Sequence, residues 1–208
     1  MTVTVATNLA DALAAIRATP DARLLQGGTD TMVEINFNHF KPEHIVALRK
    51  VQELRNFSIQ EEKGLIFIGS GVPYQTLEND PFLTLLPALA QASRTVGSPQ
   101  IRAAGSLGGN LGTCSPAGDG LPVLSALDAT VHLQSIDTSR DVLIHDFMVG
   151  VKKNARMPDE IITGVTVPIL RGFQGYSKVG VRNAMVISVA SACLAIDTSS
   201  SQVRLALG

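Results

Sequence analysis

The sequence predicts a mixed helix and strand protein, and three observations carry that expectation. Helical and strand signals alternate along the chain without an internal repeat or a low-complexity tract. The first fifty residues read in β-α-β order. The stretch from Tyr176 to Leu207 reads as apolar strand runs separated by turn residues. With 208 residues, 45% of them hydrophobic, and a mean hydropathy of +0.23, the chain is long and apolar enough to bury a sizeable core.

Each element has a local reason. Thr7 or Asn8 can cap a first helix whose apolar face is Leu9, Leu13 and Ile16 and which ends before Pro20. A short strand over 22–26 is broken by Gly27-Gly28, and Thr29-Asp30 can cap a second helix carrying Met32, Ile35 and Phe37. Another strand fits 44–48, and 56–59 with 65–69 reads as a hairpin around QEEKG. Residues 81–96 are helical in character, with Pro87 restarting or kinking them. Gly105 to Gly120 reads as a glycine-rich, charge-poor loop, followed by a helix at 121–127 and a hairpin of 130–135 with 142–145. A strand at 160–167 ends at Pro168, a boundary is placed near 170, and strands follow at 176–181, 188–196 and 203–207. The last strand reads as the start of a domain rather than its end.

Composition excludes several classes. The 17 basic and 18 acidic residues leave a net charge of -1 and no basic tract, which argues against nucleic-acid binding. So few charges on this length hint at surface hidden against partners, most of all around 176–208. No basic residue precedes Arg17, so no secretory signal is expected, and the most apolar stretch, 184–196, is shorter than the roughly 20 residues of a membrane helix. Cys114 and Cys193 lack metal-ligand spacing, and a reducing cytoplasm fits their use. His39, His44, His132 and His145 are scattered, and no Ser-His-Asp or paired-carboxylate arrangement can be argued.

Two segments can hold an anion: Gln26-Gly27-Gly28-Thr29-Asp30, and the run from Ala104 to Thr113, AGSLGGNLGT. Neither has the Lys of a P-loop or the spacing of a Rossmann dinucleotide motif. Glycine lets successive backbone N–H groups turn toward one anion, and Thr29, Ser106, Asn110 and Thr113 add short polar groups suited to phosphate oxygens. On composition alone, an anion nest and a pair of tight packing turns both remain open.

The two loops and their surroundings resemble the FAD-binding (medium) subunit of the xanthine dehydrogenase and carbon monoxide dehydrogenase family, the molybdenum hydroxylases. The resemblance runs through LLQGGTDTMVEIN, IVALRKVQELR and GLIFIGSGVPYQTLE, is sharpest at QIRAAGSLGGNLGTCSPAGD, and continues through PDEIITGVTVP and GYSKVGVRNAMVISV. It implies an α+β fold of the molybdopterin dehydrogenase (PCMH) type: an FAD-binding domain over 1–170, with subdomains of about 1–55 and 56–170. Residues 171–208 would begin a shortened C-terminal antiparallel-sheet domain. The family continues roughly one small domain, about 80 residues, further.

The resemblance implies non-covalent FAD contact at Gln26, Gly27, Gly28, Thr29 and Asp30 of the first loop, and at Ser106, Leu107, Gly108, Gly109, Asn110 and Thr113 of the second. It further implies Leu24 and Leu25 on the same wall and Asp119 accepting from a cofactor hydroxyl. Ile162 would be an apolar contact, and Lys178 a basic group near the flavin ring or its tail. Asp119 can equally cap the helix after it, and Lys178 can be a solvated strand residue. Gln26, Val96 and Pro99 depart from the family's usual residues and bear on the ring-side details. No catalytic residue and no metal ligand is expected, since the cofactor carries the chemistry.

The function implied is an electron-transfer subunit. Its FAD would collect electrons from a small subunit with two [2Fe-2S] clusters, beside a molybdopterin large subunit, in a dimer of heterotrimers. The electrons would then go to NAD, quinone or oxygen. Two other readings share the fold: a stand-alone FAD oxidoreductase, and a flavin-free assembly subunit.

Overall fold

The computed structural model describes residues 1–208. In chain order the strands are β1 (Thr2–Val5), β2 (Arg23–Leu25), β3 (His44–Ala47), β4 (Phe57–Gln60), β5 (Leu65–Gly69), β6 (Thr130–Gln134), β7 (Ser139–Leu143), β8 (Met148–Gly150), β9 (Lys153–Asn154), β10 (Ile161–Pro168), β11 (Gly172–Val179), β12 (Ala190–Asp197) and β13 (Gln202–Leu207). The helices are α1 (Leu9–Ala18), α2 (Thr31–Asn36), α3 (Tyr74–Leu77), α4 (Phe82–Leu85), α5 (Pro87–Thr95), α6 (Pro99–Ala104), α7 (Leu107–Thr113), α8 (Gly120–Ala126) and α9 (Ile144–Phe147).

Three sheets carry the architecture. A parallel sheet β1-β3-β2 receives α1, an antiparallel sheet β4-β5-β10-β6-β7 forms the middle, and an antiparallel meander β11-β12-β13 closes the chain. The α+β class expected from the sequence is the class observed. Asn8 caps α1 as expected, its Oδ1 accepting from the Asp11 amide at 2.8 Å. Pro87 restarts the helix rather than kinking it, because proline is tolerated in the first turn, where no intrahelical N–H is needed.

Several elements depart from the expectation, among them α3, α6, α9 and the pair β8-β9, which the sequence reading did not place. β1 was missed, although Thr2-Val3-Thr4-Val5 is a β-branched run that pairs in parallel with β3. Asp30 stands at the N-cap of α2 but makes no side-chain capping bond, and Met32 and Phe37 point to solvent while Thr31 is the buried residue. The glycine-rich segment is not a loop throughout, since Leu107–Thr113 is helical despite three glycines. Glycine costs a helix about 1 kcal/mol per residue relative to alanine. Here Ser106 offsets part of that as N-cap, accepting from the Gly109 amide at 3.2 Å. Tertiary contact demands another part, because a Cβ on Gly108 would lie 2.3 Å from Ser70 Cβ.

Two apolar clusters fill the interior. The smaller joins Leu13 and Ile16 of α1 to Val46, Leu54 and Ile161. The larger runs from Ile66 and Ile68 through Leu89, Leu107 and Leu124 to Tyr176, Cys193 and Ala195 of the last sheet. Adjacent residues of β10 point to opposite faces, so Ile161 serves the first cluster and Ile162 the second. The last sheet buries one face in this way and presents Phe173, Val203, Leu205 and Leu207 outward, each more than half exposed. Burial pushes the Cys193 thiol up to about 11, so this cysteine packs as a small apolar residue.

The turn before β10 is braced by an ion pair. Arg140 donates from Nε and Nη2 to the two oxygens of buried Glu160 at 2.7 and 2.9 Å, and Glu160 also accepts from the Met157 amide at 2.7 Å. The Arg140 hydrogen bond holds the Glu160 carboxyl below its ordinary value of 4.5. A depressed carboxyl contributes stability above its unfolded pKa and loses it as pH falls through the folded one. The wild type is therefore expected to lose stability as pH drops below about 4.5, with part of that loss assigned to this group. Glu160→Gln is expected to cost about 2–3 kcal/mol at neutral pH and to flatten the acid limb in urea unfolding followed against pH.

Candidate functional site

A cavity of about 960 Å³ opens where the first sheet, the middle sheet and the segment 182–187 meet. Its floor is the junction of the two glycine segments, which touch backbone to backbone. A Cβ on Gly27 would lie 2.0 Å from the Ala104 carbonyl oxygen, so only glycine permits this approach. The second segment is tied down in turn, with the Tyr74 amide donating to Gly105 O at 3.1 Å and the Gly108 amide to Ser70 O at 3.1 Å.

Leu24, Gln26, Gly27, Gly28, Thr29, Asp30, Ser106, Gly108, Gly109, Asn110, Thr113, Asp119 and Ile162 all line this one cavity. Leu25, Leu107 and Lys178 do not. Alternation along β2 turns Leu25 away from the side that Leu24 takes. Leu107 is the first residue of α7, and its side chain is buried in the main core.

Lys178 lies behind the wall. Its ammonium donates to Asp119 Oδ2 at 2.7 Å, to Thr95 O at 2.9 Å and to Val186 O at 3.2 Å, which uses all three protons. Asp119 is buried and does not cap α8. Its Oδ1 accepts from the Tyr176 hydroxyl at 2.8 Å and its Oδ2 from Lys178 at 2.7 Å, while the Thr95 hydroxyl, 3.3 Å from Oδ2, has the Ala92 carbonyl as its nearer acceptor at 2.8 Å. Neither the capping reading of Asp119 nor the solvated reading of Lys178 survives. They form a buried ion pair between α8 and the last sheet, and through Val186 it fixes the segment that roofs the cavity.

The cavity is polar in an incomplete way. The amides of Gly27, Gly28, Thr29 and Asp30 donate to no protein acceptor. Gln26 Oε1, Asp30 Oδ2 and the Tyr74 hydroxyl are buried without a partner, and all three residues line the cavity. Buried polar groups are nearly always paired, so several orphans around one hollow mark a place that a polar ligand completes. Four adjacent free amides suit an anion, and the apolar walls of Leu24, Val33, Leu48, Val96, Ile101 and Ile162 suit flat ring systems. These features fit a dinucleotide that carries a diphosphate between two ring systems.

Sequence reasoning missed Tyr74 and three arginines on the wall, Arg23, Arg156 and Arg182. Arg23 stacks over Phe40 with its guanidinium carbon 5.3 Å from the ring centroid. Arg156 donates from Nη1 to the carbonyls of Met157, Pro158 and Glu160 at 2.8–3.2 Å, and burial lowers its pKa from the usual guanidinium value. Nothing in KKNARMPDE marks Arg156 as inward-facing, because the turn that buries it is held by Arg140 from a different hairpin. The fold also assembles Asp141, His132 and Thr166 in a hydrogen-bonded row at 2.6 and 2.7 Å. That row sits on the outer face of the middle sheet, away from the cavity. No group of three or more His, Cys, Asp or Glu side chains is placed to hold a metal ion, and no helix is long and apolar enough to cross a membrane.

Comparison with known proteins agrees with this geometry. Residues 1–170 match the family model described as the FAD binding domain in molybdopterin dehydrogenase. The nicotinate dehydrogenase FAD-subunit of Eubacterium barkeri is 36% identical over 186 residues, covering 86% of this chain and 62% of that protein. The glyceraldehyde dehydrogenase medium chain of Sulfolobus acidocaldarius is 31% identical over 200 residues, covering 96% and 70%. Among solved structures, reconstituted CO dehydrogenase from Oligotropha carboxidovorans superposes with a TM-score of 0.90 at 26% identity, over 100% of this chain and 73% of that one. The chain thus spans between three fifths and three quarters of the length of these relatives. By residues matched and by fold, the chain belongs to the family of FAD-binding domains of molybdopterin dehydrogenases.

Proposed function

We propose that this chain binds FAD non-covalently in the cavity between its two glycine segments and serves as the flavin-bearing part of a molybdenum hydroxylase. The observation that carries the reading is the run of unpartnered amides at 27–30, in a segment that lines one hollow together with three residues whose buried polar atoms lack partners. The amides of Gly27 to Asp30 and the Thr29 hydroxyl hold the diphosphate from one side. Ser106, Gly108, Gly109, Asn110 and Thr113 would hold it from the second segment, and Leu24 and Ile162 would supply apolar contact. Asp119 retains a free lone pair on Oδ1 with which to accept from a cofactor hydroxyl. The chemistry that FAD supplies when bound is storage of two electrons, taken singly and released to an acceptor. The protein orients the cofactor, walls off water and sets the local charge, while Asp119 and Lys178 hold the roof in place.

In this reading residues 1–170 are the cofactor domain, built of subdomains 1–55 and 56–170, and 171–208 are the first strands of the next domain. The family match over 1–170 supports that division. The donors are [2Fe-2S] clusters on a small subunit, the molybdopterin sits on a large subunit, and the assembly is a dimer of heterotrimers in the cytoplasm. The outward apolar side chains of the last sheet are consistent with covered surface.

Purified chain is expected to carry flavin absorbance or to acquire it on addition of FAD. Absence of binding after FAD addition would sink the proposal and favour the assembly-subunit reading. Turnover of an alcohol by the isolated chain would favour the stand-alone oxidoreductase. Co-purification from the native host is expected to bring down partners with paired iron–sulfur motifs.

A further inference from the structure

We infer that the Tyr74 hydroxyl donates a hydrogen bond to an acceptor oxygen of the cofactor, a contact that rests on the FAD reading above. Tyr74 opens α3, is 4% exposed, and lines the cavity, yet its hydroxyl has no partner. The ring lies against the second segment. A Cβ on Gly105 would lie 3.6 Å from Tyr74 Cδ2, and a Cβ on Gly120 would lie 3.4 Å from Tyr74 Oη. The ring therefore reaches from Gly105 at one edge to the start of α8 at its hydroxyl.

No protein acceptor takes that proton. Asn110 Oδ1 accepts from the Gly120 amide at 3.2 Å, and the Asp119 oxygens accept from Tyr176 and Lys178, none of them from Tyr74. Tyr176 is the internal contrast, a second buried tyrosine in the same neighbourhood whose hydroxyl is satisfied at 2.8 Å. A buried hydroxyl left unpaired destabilises the empty chain, so the phenol is a liability without ligand and an asset with it. Burial, followed by the charges of Asp119 and Tyr176, pushes the Tyr74 phenol up from its ordinary value, which keeps its proton available for donation.

The test is Tyr74→Phe in the full chain, which removes one oxygen and keeps the ring. FAD affinity, read by flavin fluorescence titration, is expected to fall about tenfold, equivalent to ~1.4 kcal/mol. The melting temperature of the FAD-free chain is expected to hold or to rise. Tyr176→Phe serves as the structural reference, because it deletes a bond already made and is expected to lower the melting temperature of the FAD-free chain. Unchanged FAD affinity in Tyr74→Phe overturns the inference. A fall in FAD-free melting temperature like that of Tyr176→Phe overturns it too, by showing a purely structural role. If the wild-type chain binds no FAD, the functional reading fails and takes this contact with it. Wild-type binding with an indifferent Tyr74→Phe defeats the contact alone.

Discussion

Gly27→Ala is expected to abolish FAD binding and to destabilise the chain, the largest single-atom effect in this fold. The added methyl would stand 2.0 Å from the Ala104 carbonyl oxygen, 2.6 Å from its carbon and 3.1 Å from Gly105 Cα. All three are backbone atoms, so no side-chain rotation relieves the clash. The segments must separate by more than an ångström, and the four free amides then lose their shared focus. Overpacking of a rigid contact costs about 1–3 kcal/mol, while displacing an anion nest removes several charge-assisted hydrogen bonds together. An FAD affinity more than a hundredfold weaker is expected by titration, with a melting temperature several degrees lower. Gly150→Ala is the control, since a Cβ there meets only Lys153 at 3.8 Å and the residue does not line the cavity. Equal FAD affinity in Gly27→Ala and Gly150→Ala would show that the contact between the segments does not shape the site.

Lys178→Met carries the second large effect. Asp119 and Lys178 are both nearly excluded from water, with side chains 7% and 9% exposed. Removing the ammonium leaves a buried carboxylate held mainly by the Tyr176 hydroxyl, and such orphaned charges cost about 3–5 kcal/mol. For a chain of this size that corresponds to a fall of roughly 10 °C in melting temperature. The carbonyl of Val186 also loses its donor, so the roof over 182–187 loosens and faster release of FAD is expected. Asp119→Asn with Lys178→Met removes both charges, and the double variant is expected to recover part of the loss, giving a coupling of at least 1 kcal/mol. Strict additivity of the two single variants in thermal unfolding would rule out a coupled pair.

Much of the fold was legible in the sequence because its elements are locally determined. The cap at Asn8, the restart at Pro87, the hairpins β4-β5 and β6-β7 and the strands of the last meander all follow from residues within a few positions, although β11 starts at Gly172 rather than at the expected 176. α7 was hidden because three glycines argue against a helix, and what outweighs them is packing on Ser70 from a distant turn. The two glycine segments were equally visible as motifs, down to the residues that line the cavity. Tyr74 and Arg156 were not, because an apolar-flanked tyrosine and an arginine in a polar turn carry no mark of the wall they face.

The sequence by itself determined the class of fold, the two glycine segments and the shortage of charge. Those are properties of composition and short-range pattern. Only the tertiary structure decided that the segments touch, that Lys178 is spent behind the wall, and that one buried tyrosine is satisfied while another is left open. Each of these depends on contacts between residues distant in sequence, such as Asp119 with Lys178, 59 positions apart, and Gly27 with Ala104. At that separation, local propensity carries no information about which backbone groups meet. The low charge count changes meaning with it. Two of the few charges are buried against each other inside the protein, and the last sheet turns Phe173, Val203, Leu205 and Leu207 outward.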